Sequence, residues 1–175
     1  MIVVRDAVAA DVPAMTTIQN ALIATTSYEW RDDPHTVDTR LEWLADKQDD
    51  GWPVLVAVDD TGAVVGFAYY GDFRDSARWP GYRTTVEHTV HVRDDQWGRG
   101  VGRVLMAELE ERARQQGKHV IVGGIDGTNT GSLRFHERLG YDEVARMSQV
   151  GVKFGEWQDL VLVQKALDDG PVDDR

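Results

Sequence analysis

The sequence predicts an α/β fold in which one domain is built on a mixed β-sheet with helices on both faces. Three observations carry this. Short β-branched runs alternate with segments of helical apolar spacing, in the order β-α-α-β-β-β-α-β-α-β-β. The 175 residues suffice for one sizeable core and fall short of two ordinary domains. No internal repeat or linker-like stretch divides the chain.

Each element follows from local chemistry. Ile2 to Arg5 is a short apolar run. Asp11 suits a helix N-cap and Pro13 the first turn, and Val12, Met15, Ile18 and Leu22 continue at helical spacing to about Ala24. A second helix is expected from Thr36 to about Lys47, with Val37, Leu41 and Leu44 on one face and Gly51 and Pro53 ending it. Val54 to Val58 and Val64 to Tyr70 are β-rich runs joined by Asp59-Asp60-Thr61-Gly62, a hairpin signal. Gly71 to Tyr82, rich in Gly, Pro, Arg and aromatics, reads as a long surface loop of the kind that often carries function. Arg83 to Val92 is the next strand and contains Glu87. After a polar, then glycine-rich turn, a helix places Val101, Val104, Leu105, Leu109 and Ala113 on its buried face and stops at Gly117. Val120 to Ile125 is a buried strand. Asn129 caps a helix to about Leu139, with Gly140 as its stop. Strands around Tyr141 to Gln149 and Trp157 to Lys165 flank a connection from Gly151 to Gly155. The folded domain is expected over 1–167, and 168–175 reads as an acidic, disordered tail.

Composition removes several function classes. The 19 basic and 30 acidic side chains give a net charge of −11, which argues against a phosphate-backbone binder and so against nucleic acid as partner. No stretch reaches the roughly 20 apolar residues of a membrane span, and Met1 to Asp6 lacks the shape of a signal peptide. With no cysteine there is no disulfide, thiolate nucleophile or Cys-ligated metal. His88 and His91 are three apart on a strand, so they point to opposite faces and make poor metal co-ligands. A cytoplasmic, metal-free protein with small-molecule or basic partners is expected.

The glycine turn Gly98-Arg99-Gly100-Val101-Gly102-Arg103 lies between a strand and a helix start. Glycines there let the backbone turn tightly and aim amide groups and the positive helix end at a pyrophosphate, or they form a tight turn with no ligand. A nucleotide P-loop needs Gly-Lys-Ser/Thr, but Gly102 is followed by Arg103 and Val104. A dinucleotide fingerprint needs a glycine at 103 and a place in the first β-α unit, and has neither here. In its place after the fourth strand and before a long helix, the turn resembles the coenzyme A pyrophosphate turn of N-acetyltransferases.

The turn, the helix start Asn129-Thr130-Gly131-Ser132 and Arg138-Leu139-Gly140-Tyr141 resemble the GNAT acetyltransferase superfamily. Four further stretches are similar to the phosphinothricin/methionine sulfoximine N-acetyltransferases within it: Gly66 to Arg74, Thr85 to Val90, Phe135 to Arg138 and Gln149 to Leu160. The resemblance runs from about Val4 to Leu167. It implies a mostly antiparallel central sheet, acetyl-CoA as acetyl donor, a small amino acid analogue as acceptor, and a homodimer.

It also assigns residues. By residue type alone Glu87 reads as a solvent-facing strand carboxylate; its match to the family's catalytic glutamate reverses that and implies the base. His136 is implied as an auxiliary acid or base, with its direction open. Val90, His91 and Val92 are expected to offer backbone groups to the pantetheine arm, and Gly98, Arg99, Gly100, Val101, Gly102 and Arg103 to cradle the pyrophosphate. Asn129 and Ser132 complete the cofactor site, although Asn129 also suits a plain N-cap. Arg74 is the foremost candidate for the acceptor carboxylate, with Phe73, Arg83, His88, Thr89 and Lys153 around Glu87. Trp97 stands where these enzymes often have Gln or Arg, a position valued for its backbone N–H. Two other functions stay open: acetylation of a basic peptide or protein amine, and non-catalytic acyl-CoA binding.

Overall fold

The computed structural model describes residues 1–168. Its strands are β1 (Val3–Asp6), β2 (Val54–Val58), β3 (Val64–Asp72), β4 (Thr85–Val92), β5 (Val120–Asp126), β6 (Asp142–Lys153) and β7 (Glu156–Ala166). The helices are α1 (Val12–Thr25), α2 (Val37–Asp49), α3 (Val101–Gln115) and α4 (Thr130–Arg138). All seven strands join one sheet in the order β1-β2-β3-β4-β5-β7-β6. Only β4 and β5 run parallel, and α3 supplies the crossover that a parallel pair requires.

Both faces of the sheet are covered, which explains the unbroken apolar runs of the central strands. From β2, Leu55 and Ala57 pack towards Leu105, Met106 and Leu109 of α3. Val54 and Val56 pack on the opposite side, towards Val12, Met15 and Ile18 of α1 and Leu44 of α2. Thr36 and Asn129 cap α2 and α4, accepting from the N–H groups of Thr39 and Ser132.

Some local expectations are corrected. The Asp11 side chain does not cap α1; its carboxylate accepts from the Val8 N–H and makes a two-pronged bond to Arg5 at 2.7 and 2.8 Å. The Arg5 guanidinium holds the Asp11 carboxyl below its usual range. Val104 is 40% exposed, because at 3.6 residues per turn it lies about a third of a turn from the centre of the Val101–Leu105–Leu109–Ala113 stripe. Val37 is likewise exposed at the start of α2. β3 runs on to Asp72 because Gly71 and Asp72 still pair with Glu87 and Val86. The connection expected at 151–155 shrinks to Phe154 and Gly155, both at positive φ, between the paired Lys153 and Glu156. Gly151 belongs to the strand, paired with Gln158, and the Trp30 indole occupies the space a side chain there would need. Of the expected tail, Asp168 pairs with His119 at 2.9 Å; 169–175 lie outside the described residues.

Candidate active site

The site begins where two strands part. β4 and β5 pair only through Thr85–His88 and Val120–Gly123, yet β4 continues to Val92 and β5 to Asp126. Beyond His88 the strands diverge, and a groove of about 850 Å³ opens between them. Val90, His91 and Val92 line one wall, Gly124, Ile125 and Asp126 the other. An unpaired strand edge can take up an extended chain carrying amide groups as if it were a further strand.

The N-termini of α3 and α4 close one end of this groove. Gly100 sits in the left-handed region (φ 83°) as the N-cap of α3, where no side chain caps the first amides. Those amides remain available to an anion, and the helix dipole favours one there. Gly98, Gly100, Val101, Gly102 and Arg103 all line the groove, as do Asn129 and Ser132 from α4; Arg99 is exposed beside it. The Phe135 ring lies so close to Gly102 that a Cβ there would meet it at 3.1 Å, packing α4 against the start of α3. The Trp97 backbone N–H is occupied by the Asp94 carbonyl, and its indole N–H donates to the Val92 carbonyl at 2.8 Å. The tryptophan therefore clasps the end of β4 to the turn. A strand edge for a pantetheine arm and free helix amides for a diphosphate fit acetyl-CoA.

Alternation along β4 separates the titratable groups. Glu87, Thr89 and His91 point to the α1–α2 side, while His88 joins the α3–α4 side. Two adjacent glycines of β5 admit them. A Cβ on Gly124 would lie 3.3 Å from Glu87 Oε1, and one on Gly123 would lie 2.5 Å from the His88 ring. Glu87 is exposed as a residue and does not itself line the groove, but its carboxylate is sheltered at Gly124 on the groove wall. Burial pushes its pKa above the ordinary value. His136, buried on α4, lines the groove with its Nε2 2.9 Å from that of His88. Burial lowers the pKa of His136, offset in part by its bond to the Ser132 carbonyl.

The expected acceptor residues fall into separate places. His88 and Thr89 line the groove. Arg74 is exposed, with its guanidinium 5.5 Å from the Phe73 ring and 5.7 Å from the Tyr82 ring. This cluster follows the end of β3, just past Gly71, the register partner of Glu87. Arg83 is tied to the Pro80 carbonyl at 3.3 Å. Lys153 is buried, donates to the Arg31 carbonyl, and does not line the groove.

The α1–α2 connection supplies residues that composition did not single out. Tyr28 and Glu29 line the groove, and Trp30 donates to Asp126 at 2.8 Å. Glu29 lies 2.9 Å from His91 Nε2. Burial acts to raise the Glu29 pKa, but His91, Gln19 and His35 more than offset it and leave it low. Arg40 is buried, stacked 3.5 Å over Trp43, with Nε and Nη2 lacking partners among the described residues. The available signal was an acidic and aromatic run, Tyr28-Glu29-Trp30, between two helices. Among the described residues no three His, Asp or Glu side chains group as metal ligands, and no helix is long and apolar enough to cross a membrane.

A splayed parallel pair, free helix amides at one end and a sheltered carboxylate beside the split define an acyl-carrier-dependent transferase. The chain belongs to the Acetyltransferase (GNAT) family, which residues 15–141 match, and its acetyl donor is acetyl-CoA. An L-methionine sulfoximine/L-methionine sulfone acetyltransferase of Pseudomonas aeruginosa is 44% identical over 165 residues, 94% of each chain. The structure of a putative acetyltransferase from Salmonella typhimurium with its cofactor acetyl-CoA superimposes with a TM-score of 0.91 at 42% identity, covering 98% of this chain and 96% of that one. A phosphinothricin acetyltransferase from Sinorhizobium meliloti in complex with acetyl-CoA gives 0.90 at 30% identity, covering 97% and 90%.

Proposed function

We propose that this protein acetylates the primary amine of a small amino acid analogue of the L-methionine sulfoximine or L-phosphinothricin type. Bound acetyl-CoA supplies an activated thioester carbonyl. Amides of the glycine turn at 98–103 and of the start of α3 hold its diphosphate, with Asn129 and Ser132 at the facing helix start. The edge from Val90 to Val92 holds the pantetheine arm. Glu87 takes a proton from the incoming ammonium, which at a pKa of about 8 is mostly charged at neutral pH. Arg74, with Phe73 and Tyr82 beside it, receives the acceptor's anionic end, and Thr89, on the Glu87 face of β4, lines the groove beside it. The carrying observation is the Glu87 carboxylate against Gly124, beside the split between β4 and β5.

The protein acts in the cytoplasm, as a homodimer, and confers resistance to such analogues. The apolar outer face of the β6–β7 hairpin, with Val152, Phe154 and Trp157 about half to two-thirds exposed, supports pairing there. Sedimentation of the wild type and of Trp157→Glu tests it: a dimer that dissociates in the variant is expected, and a monomeric wild type would refute it. A thiol-release assay over an amino acid panel tests the activity. Turnover of L-methionine sulfoximine or L-phosphinothricin well above that of basic peptides is expected. Preferential turnover of the peptides, or binding of acetyl-CoA without turnover of any amine, would overturn the reading.

A further inference from the structure

We infer that His88 and His136 hold one shared proton between their facing Nε2 atoms, forming a buried acid on the wall of the groove. Donor and acceptor chemistry fixes the count. His136 Nδ1 lies 2.8 Å from the Ser132 carbonyl and His88 Nδ1 lies 2.7 Å from the Val122 carbonyl. A carbonyl only accepts, so each Nδ1 carries a proton and donates it. A neutral imidazole has a single N–H, which would leave both Nε2 atoms as bare lone pairs. These atoms stand 2.9 Å apart, a hydrogen-bond distance at which two lone pairs repel. One added proton removes the conflict and gives the pair a single positive charge; the Nε2–H···Nε2 bond, which exists only in that charged state, and the Ser132 carbonyl oppose the burial that lowers the His136 pKa.

The surroundings hold this geometry. Gly123 leaves the space that the His88 ring fills. The Tyr141 ring lies 5.4 Å from the His88 ring and 5.3 Å from that of His136. Behind it, Glu110 of α3 accepts from the Tyr141 hydroxyl and from Lys165 of β7, with Arg114 3.5 Å away. Glu87, the adjacent carboxylate on β4, points to the other face. A second proton is resisted: burial, then repulsion from His136, pushes His88 down to about 3. The pair therefore titrates as a unit. Ser132 Oγ, 3.3 Å from His136 Nδ1, offers that N–H a second acceptor.

The consequence rests on the acetyl-transfer reading above. As the C–N bond forms and the C–S bond breaks, the sulfur keeps the electron pair of the broken bond and takes the shared proton from His136 Nε2, whose hydrogen bond to His88 breaks in the same step. Glu87 takes one proton from the ammonium and passes it to water, the nitrogen's second proton leaves to water, and water recharges the pair. Each turnover thus releases one net proton. His136 is the acid and His88 a positioning residue that acts through it.

Nitrogen-resolved NMR of histidine-labelled, ligand-free protein at neutral pH tests the shared proton without reference to turnover. Both Nδ1 atoms protonated, with a low-field proton coupled to the Nε2 pair, is expected; a ring with a bare Nδ1 would overturn the inference. The pH–rate profile tests its use. In His88→Asn the alkaline limb should move down by about one pH unit as the charged pair loses its acceptor, while the acidic limb set by Glu87 stays. An unmoved alkaline limb in a folded His88→Asn protein would remove the acid role and leave the acetyltransferase reading standing. If that variant does not fold, the spectrum of the wild type still decides.

Discussion

Replacing Glu87 with Gln keeps the shape of the side chain against Gly124 and removes only its capacity to hold a proton. A positioned general base is worth about 10² to 10⁴ in rate, or about 3–5 kcal/mol of barrier, so kcat/KM at pH 7 should fall by that factor. The loss should depend on pH in a particular way. The acceptor amine has a pKa of about 8, so only about a tenth is uncharged at pH 7. A variant that must wait for free amine gains about tenfold per pH unit up to that pKa, and the defect shrinks accordingly. The wild type should instead lose activity as the pH falls through the Glu87 pKa, which burial has raised, and Glu87→Gln should lack that limb. Stability moves in the opposite sense. A carboxyl whose folded pKa is raised destabilises the fold above its unfolded pKa, so the variant should melt higher than wild type at pH 7 and equally below about pH 4. Initial rates by thiol release from pH 5.5 to 9.5, with melting curves at pH 7 and below pH 4, measure both effects. A kcat/KM within threefold of wild type across that range would refute the assignment.

Other consequences follow from packing and charge. Leu109, fully buried between α3 and the sheet, should lose about 3 kcal/mol on truncation to Ala, read from denaturant unfolding. Gly100→Ala meets no atom within 4 Å but must hold φ +83°; the left-handed backbone alone should cost about 1–2 kcal/mol, seen as a lower melting temperature. Asp11→Asn should destabilise at neutral pH. Because Arg5 depresses the Asp11 pKa in the fold, its contribution is present above the unfolded pKa of about 4 and disappears as the pH falls through the folded value. Melting curves of the two proteins should therefore converge in acid.

Local chemistry reported the elements well where propensity and packing agree. Val54–Val58, the Asn129 cap and the Thr36 cap follow from side chains whose preferences act within a few residues. The misreadings came where a distant group decided the outcome. Gly151 reads as a loop residue until Trp30, 121 positions earlier, is seen to need its missing side chain. Asp11 suits a cap until Arg5 claims its carboxylate. The site shows the same division. The glycine turn and Glu87 lie in contiguous motifs. The His88–His136 contact, Glu29 against His91 and the unpartnered Arg40 nitrogens arise only when separate elements meet, and no spacing along the chain encodes them.

The central claim is that the amides at 98–103 aim an acetyl donor along the β4 edge towards Glu87. A crystal structure of the protein with acetyl-CoA tests it most directly. The account predicts the diphosphate on the start of α3, pantetheine amides bonded to the β4 main chain between Val90 and Val92, and the thioester reaching the level where Glu87 flanks Gly124. A diphosphate bound elsewhere, or a thioester held away from the split between β4 and β5, would contradict it.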